Sequence, residues 1–498
     1  MPLAMLSTLS TEVLHEIFGY FCLHCSGQHQ STPPHAHRLD TPQDPDALSW
    51  HSLDCHTLFC LCLVSRRFCT IAQPILYHEF VPGYGDSWRS TRYTWNGRLA
   101  SFVRTVARRR DLAAKVRRVY IHPDLLQSGD TKERKDALRE AANALQIEDQ
   151  EGLVSDDLLA LLIALLPNLN HCSLQSRKTR VQAVCPSALR RARVLSLPLK
   201  TLDVVLHARC YERELLNLGW RAGALLEVAT HLQTLNLHMC EGIWTESPFP
   251  SLPNLKVIRI TRSKLTKKGL EGLLRSCNGL RSFTYETCPP YISLDIIAPG
   301  ADPIDQFTPW DAVRCLRWHR ETLESLHLDL RKRGVFPQPS GLIHLERSEP
   351  IVDFRDFNAL RHLFLNASAI YDLRYTEPPP LTQVLPRSIT SLQFVGDISC
   401  SVEWLSNGIS GLAGAISEGH FPDLKKVTCD TYYTLDNDLV VSAMFAGAGV
   451  EFSYDRWPLS KATLHLPGDL TPVPWEEGCY FRVDTELMPL PDEEDSDL

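Results

Sequence analysis

Apolar residues recur along this chain with two different periods. Near the start, Val13, Leu14, Ile17, Phe18 and Phe21 fall at i, i+1, i+4, i+5 and i+8, one stripe of an amphipathic helix. Ser10 stands where a capping hydroxyl belongs, and Glu12 occupies the first turn, where the helix dipole favours an acid. A second helical stretch runs from about Cys55 to Ser65, with Leu58, Leu61, Leu63 and Val64 apolar. Phe68, Ile71 and Ala72 extend that pattern until Pro74 interrupts it. Between the two helices, His24 to His51 is rich in Pro, His, Gln, Asp and Ser and reads as an exposed loop.

From residue 115 onward the pattern becomes apolar-x-x-apolar-x-apolar. It occurs at Val116/Val119/Ile121, Leu169/Cys172/Leu174, Leu232/Leu235/Leu237, Leu255/Ile258/Ile260 and Leu280/Phe283/Tyr285. It continues at Leu323/Leu326/Leu328, Leu360/Leu363/Leu365, Ile389/Leu392/Phe394 and Leu424/Val427/Cys429. Helical stretches are predicted at Asp156–Leu166, Glu212–Thr230, Thr266–Cys277, Asp311–Glu321 and Ser401–Ser417. Leu-Pro-Asn-Leu at 166–169 and 252–255 reads as a turn that feeds a strand. Alternating strands and helices of this kind resemble leucine-rich repeats, with Cys240 and Cys288 at the Asn/Cys position, although most gaps exceed the ordinary repeat length. Such units cannot bury their apolar faces alone, so they stack into an arc whose strands offer one face to a partner. His171, Asn236, Arg259, His327, Phe364 and Gln393 are expected on that face.

Composition sharpens the reading. The 498 residues include 75 leucines, and 44% of residues are hydrophobic against 22% charged, enough to build a large core. A formal net charge of −8 argues against general nucleic-acid binding. The longest apolar run, Leu158 to Leu166, is too short to span a bilayer, and the N-terminus does not read as a signal peptide. The 16 cysteines are therefore read as reduced thiols in cytoplasm or nucleus.

Leu9-Ser10-Thr11-Glu12-Val13-Leu14-His15-Glu16-Ile17-Phe18, followed by Leu61-Cys62-Leu63-Val64-Ser65-Arg66-Arg67-Phe68, resembles the F-box motif. The trailing Ile71 to His78 is similar to the segment after that motif in many fungal members. Ser10 replaces the usual proline, and the segment 24–51 is longer than the usual linker. The resemblance implies an α/β chain with a small all-α F-box domain followed by an irregular leucine-rich-repeat solenoid. The expected divisions are 5–80, 98–466 and an irregular 467–498 that ends in an acidic run. It further implies a non-catalytic substrate receptor of an SCF-type ubiquitin ligase. Leu6, Leu9, Val13, Leu14, Ile17, Phe18, Leu58, Leu61, Val64 and Phe68 would dock a Skp adaptor, and through it cullin and RING subunits. The repeat region would hold a target protein. The alternative is a repeat scaffold that binds proteins with no ligase role.

Other chemistry is sparse. Cys22-Leu23-His24-Cys25 is a CxxC with His29, His35 and His37 nearby and Cys55, Cys60 and Cys62 later, but no second CxxC or HxxxH completes a zinc set. It is read as buried thiols beside a polar loop, with no metal or other cofactor. Arg104, Arg108, Arg109, Arg110, Lys115, Arg117 and Arg118 read as the wet side of a helical region. No phosphate loop is present, Gly447-Ala448-Gly449 stops short of GxGxxG, and Gly19 fails the HExxH test begun by His15-Glu16. Gly408-Ile409-Ser410-Gly411 lacks the spacing of a nucleophile elbow.

Overall fold

The structure is a computed structural model. It describes residues 8–26, 50–82, 94–122, 125–126, 131–154, 157–176, 186–206, 216–238, 240–242, 249–287, 307–330, 351–372, 377–396, 400–430, 435 and 438–455.

Four helices open the chain: α1 (Thr11–Gly19), α2 (Leu23–Ser26), α3 (Trp50–Val64) and α4 (Arg66–Leu76). Ser10 caps α1, its Oγ accepting from the Val13 amide at 3.3 Å, and Ser65 caps α4 by accepting from Phe68 at 3.2 Å. These hydroxyls satisfy amides that a helix start leaves without partners. Pro74 does not end α4, which runs on to Leu76. Leu14, Phe18, Cys22, Leu58, Phe68, Ile71, Ala72 and Ile75 form an apolar cluster between the helices. Phe18 meets Phe68 edge to face, with ring centroids 5.4 Å apart.

The helices lead directly into a sheet. Its strands are β1 (Glu79–Phe80), β2 (Arg118–Ile121), β3 (His171–Ser176), β4 (Thr201–Leu206), β6 (Thr234–His238), β8 (Val257–Ser263) and β9 (Ser282–Thr287). β10 (Ser325–Asp329), β11 (His362–Asn366), β12 (Ser391–Val395), β13 (Lys426–Asp430) and β14 (Glu451–Asp455) complete it. β5 (Leu216–Asn217) and β7 (Cys240–Gly242) pair separately. The 12 strands of the main sheet lie side by side in chain order, and every neighbouring pair is parallel. Parallel neighbours need a crossover between them, and helices supply many of these connections.

Register explains the spacing of the apolar positions. Val119, Cys172, Leu202, Leu235, Ile258 and Phe283 pair in one row, which Leu326, Leu363, Leu392, Val427 and Phe452 continue. The third positions of the triples form a second row two residues on, and both rows face the helices over a continuous core. The helix Leu158–Leu165 is apolar on all sides because it is buried on nearly all sides. Asn168 and Asn254 of the two Leu-Pro-Asn-Leu segments each donate Nδ2 at 2.8 Å to a carbonyl of the preceding unit, Ala114 and Thr230.

The architecture corrects two expectations. No separate small all-α domain stands ahead of the rest. Chain continuity from α4 into β1, amides of Arg117 and Arg118 on the His78 carbonyl, and a cluster of Leu23, Val81 and Tyr120 make the helices part of one α/β body. Nor is the remainder an irregular solenoid. It is a single all-parallel sheet in near-continuous register, with one shift between Ile260 and Ser263. The sequence looked irregular because the unit at Leu199, Leu202 and Val204, whose strand is β4, lies inside the long gap from 169 to 232.

The expected wet basic cluster also needs correction. Arg108 and Arg109 are exposed and paired with Glu140 and Asp111, but Arg118 is buried on β2 at 1% exposure. No helix among the described residues is long and apolar enough to cross a membrane. Most of 24–51, Leu6, Cys288 and everything after Asp455, including the acidic run, lie outside the described residues.

Candidate functional site

The ten residues expected to dock an adaptor divide by burial. Leu14, Phe18, Leu58 and Phe68 are at most 4% exposed and hold the helices together. They have no surface to offer a partner, which corrects their assignment as contact residues. Leu9, Ile17 and Leu61 pack against that cluster while partly exposed, and Leu6 lies outside the described residues. Val13 and Val64 are exposed, at 45% and 50%.

Of the exposed stripe on α3, sequence reasoning named Val64 and missed the rest. Leu53, His56, Phe59, Cys60, Leu63 and Val64 are all exposed, and they fall three or four residues apart along one helical stripe. Val13 of α1 and Tyr20 at its C-terminal end add two more exposed apolar side chains. Of the 11 large hydrophobic residues exposed among the described residues, six lie between Val13 and Val64. Helix α3 is thus apolar both toward its own cluster and away from it. The apolar run Leu58–Val64 was visible in the sequence, but which side of it faced inward was not.

The face of the sheet away from the helices is the second candidate, although Tyr120, Ser173, Asp203, Phe364 and Thr428 of its central row are buried. Its central row pairs Tyr120, Ser173, Asp203, Asn236, Arg259 and Thr284, then His327, Phe364, Gln393, Thr428 and Ser453. Five of the six residues expected on this face belong to the row. His171 does not, because it sits two residues earlier on the same face, opposite Thr201. It nonetheless joins the row's polar centre. His171 Nε2 lies 2.7 Å from Asp203 Oδ2, and Asn236 Nδ2 donates to Asp203 Oδ1 at 2.7 Å. Burial disfavours charge on Asp203, but the His171 imidazole, the Asn236 amide and the Arg118 guanidinium outweigh it and hold the carboxyl below its ordinary range. Burial also holds His171 low, against the pull of Asp203, so the neutral imidazole donates from Nε2. Further along, His327 stacks on Phe364 with centroids 3.8 Å apart.

A third cluster sits where helix meets sheet. Cys22, His24 and Cys25 of the α1–α2 region converge on His78, which directly precedes β1, with their donor atoms all within 4.8 Å of one another. Cys25 Sγ lies 3.2 Å and Cys22 Sγ 3.8 Å from His78 Nδ1. Hydrogen bonding from Cys22, opposed by burial and aided by both imidazoles, holds the Cys25 thiol well below its ordinary value. Cys22, hydrogen-bonded to Cys25, buried and beside Glu79, moves the opposite way. The 12 described cysteines are free, and Cys25 and Cys60 are exposed rather than buried.

No protein-family profile and no curated protein sequence matches the chain. Among solved structures, the chain is similar to one described as "Crystal structure of TLR13-ssRNA13 complex", at 12% identity over 73% of this chain and with a TM-score of 0.23. The match spans 54% of that protein. A likeness at that score carries no argument about fold or function.

Proposed function

We propose that the chain is a non-catalytic receptor that links a target protein to a Skp-type adaptor of a cullin–RING ubiquitin ligase. The exposed apolar stripe of α3, with Val13 of α1 and Tyr20 at its C-terminal end, carries this reading. An apolar helical face left in water marks a partner site. Its place within the segments that resemble the F-box motif favours a Skp adaptor as the occupant. Burial of a large aliphatic side chain contributes about 1.5–3 kcal/mol, so a few such residues suffice to hold an interface. The adaptor would bring cullin and RING subunits in the cytoplasm or nucleus.

The target would lie on the sheet face away from the helices, at its part-exposed positions Asn236, Arg259, Thr284, His327, Gln393 and Ser453. Transfer of ubiquitin would then result from proximity, with no covalent step on this chain. Co-purification of the full chain with a Skp adaptor, compared with a Val13→Asp, Val64→Asp variant, tests the reading. Partner binding that survives without any adaptor interaction would favour the plain protein-binding scaffold instead.

A further inference from the structure

We propose that Cys22, Cys25, His24 and His78 form a Zn²⁺ site that fastens the N-terminal helices to the first strand of the sheet. The geometry carries this. A tetrahedral zinc ion with Zn–S of about 2.3 Å and Zn–N of about 2.0–2.1 Å places a sulfur and a nitrogen ligand about 3.6 Å apart. Here the sulfur–nitrogen separations are 3.2 Å for Cys25 to His78, 3.8 Å for Cys22 to His78 and 3.8 Å for Cys25 to His24. All four donor atoms lie within 4.8 Å of one another, and the two imidazole rings meet edge to face at 5.0 Å.

The donor set selects the metal. Two thiolates and two neutral imidazoles in a tetrahedron suit zinc, and their two negative charges balance the ion. Cys22 is buried and Cys25 exposed, with the two histidines between, so one side of the site is open to water for metal entry. His78 is held from the sheet side, its carbonyl accepting from the amides of Arg117 at 2.7 Å and Arg118 at 3.2 Å. Cys22 and Cys25 are held from the helix side, where the Leu23 amide donates to Glu79 Oε1 at 3.0 Å. Both halves of the site are therefore positioned by the fold before any ion binds, which favours affinity.

The inference stands apart from adaptor binding and is tested on metal alone. The full chain, purified under reducing conditions without chelator, is expected to carry one zinc per chain by elemental analysis. Co²⁺ in its place is expected to show the visible absorption of a tetrahedral thiolate site. Cys25→Ser, at an exposed position, abolishes both signals, whereas Cys60→Ser, an exposed thiol 3.4 Å from His56, leaves them unchanged. If Cys25→Ser fails to fold, His24→Ala, with its half-buried ring, serves instead and weakens zinc binding at least about tenfold. Absence of stoichiometric zinc uptake, equal uptake by Cys25→Ser or His24→Ala, or a Cys22–Cys25 disulfide in the reduced preparation would each overturn the proposal.

Discussion

His171 and Asp203, from the neighbouring strands β3 and β4, share a buried hydrogen bond of 2.7 Å on the sheet face away from the helices. Asp203 is 1% exposed, and Asn236 donates to its other oxygen. Replacing Asp203 with alanine removes the acceptor from the buried His171 and the part-buried Asn236. A buried donor left without its acceptor costs about 1–3 kcal/mol, so Asp203→Ala is expected to lower the denaturant midpoint. Asp203→Asn, which keeps one acceptor oxygen, loses less. An unchanged midpoint in Asp203→Ala would show that the network is dispensable.

Stability is expected to fall in mild acid. Burial holds His171 and His319 below the ordinary histidine value of about 6.5. Below that value the unfolded chain binds protons that the folded chain refuses, so the histidines' contribution is complete above it and is lost as pH falls toward their folded values. Asp203 acts in a lower window, its contribution complete above the ordinary carboxylate value of about 3.9 and lost beneath it. His319 Nε2 bonds the Leu274 carbonyl at 3.0 Å, which fixes the neutral ring between two units. Urea unfolding at about pH 7.5 and about pH 5.5 should show lower stability at the acid value, with a smaller difference in His319→Leu. The same difference in both proteins would remove His319 as a source of the acid sensitivity.

Gly408 lies in the helix Val402–Ser417 with no room for a side chain, because a Cβ there would overlap the Tyr371 hydroxyl. Glycine costs a helix interior about 1 kcal/mol relative to alanine, yet Gly408→Ala is expected to destabilise by about 1–3 kcal/mol because the ring must move. Tyr371 Oη is buried with no hydrogen-bond partner among the described residues. Tyr371→Phe should therefore be neutral or stabilising by thermal melting. A clear loss of stability in Tyr371→Phe would mean that its hydroxyl is satisfied in solution.

The strand positions were legible because the last two apolar residues of each of the nine triples fall on a strand and share its covered face, while the first lies two residues before the strand. β4 and β14 escaped notice. Leu199, Leu202 and Val204 fit the pattern but are surrounded by other apolar residues, and Phe452 with Tyr454 carries only its second half. The caps Ser10 and Ser65 needed only local chemistry, and only Ser10 was anticipated. The separation of the helices from the sheet was misjudged, since Glu79 and Phe80 make a strand too short for any periodicity to reveal. His78 was missed as a partner of Cys22 and Cys25 because it lies 53 residues beyond Cys25, and only the fold brings them together.

Core and surface residues of the helices should separate cleanly. Leu14→Ala and Phe68→Ala are each expected to cost about 2–5 kcal/mol, because both side chains are enclosed by the helical cluster. Val13→Asp and Val64→Asp, at exposed positions, should stay within about 1 kcal/mol of the parent chain by denaturant unfolding. A large loss at Val13 or Val64 would show that these side chains are buried in solution.

Adaptor capture tests the central claim most directly. The full chain and its folded Val13→Asp, Val64→Asp variant are each co-expressed with a Skp adaptor and recovered through a tag on the chain. The expected result is adaptor in stoichiometric amount with the parent chain and little with the variant, because two charges enter the exposed apolar face of α1 and α3. No adaptor with the parent chain, or equal amounts with both, would contradict the claim.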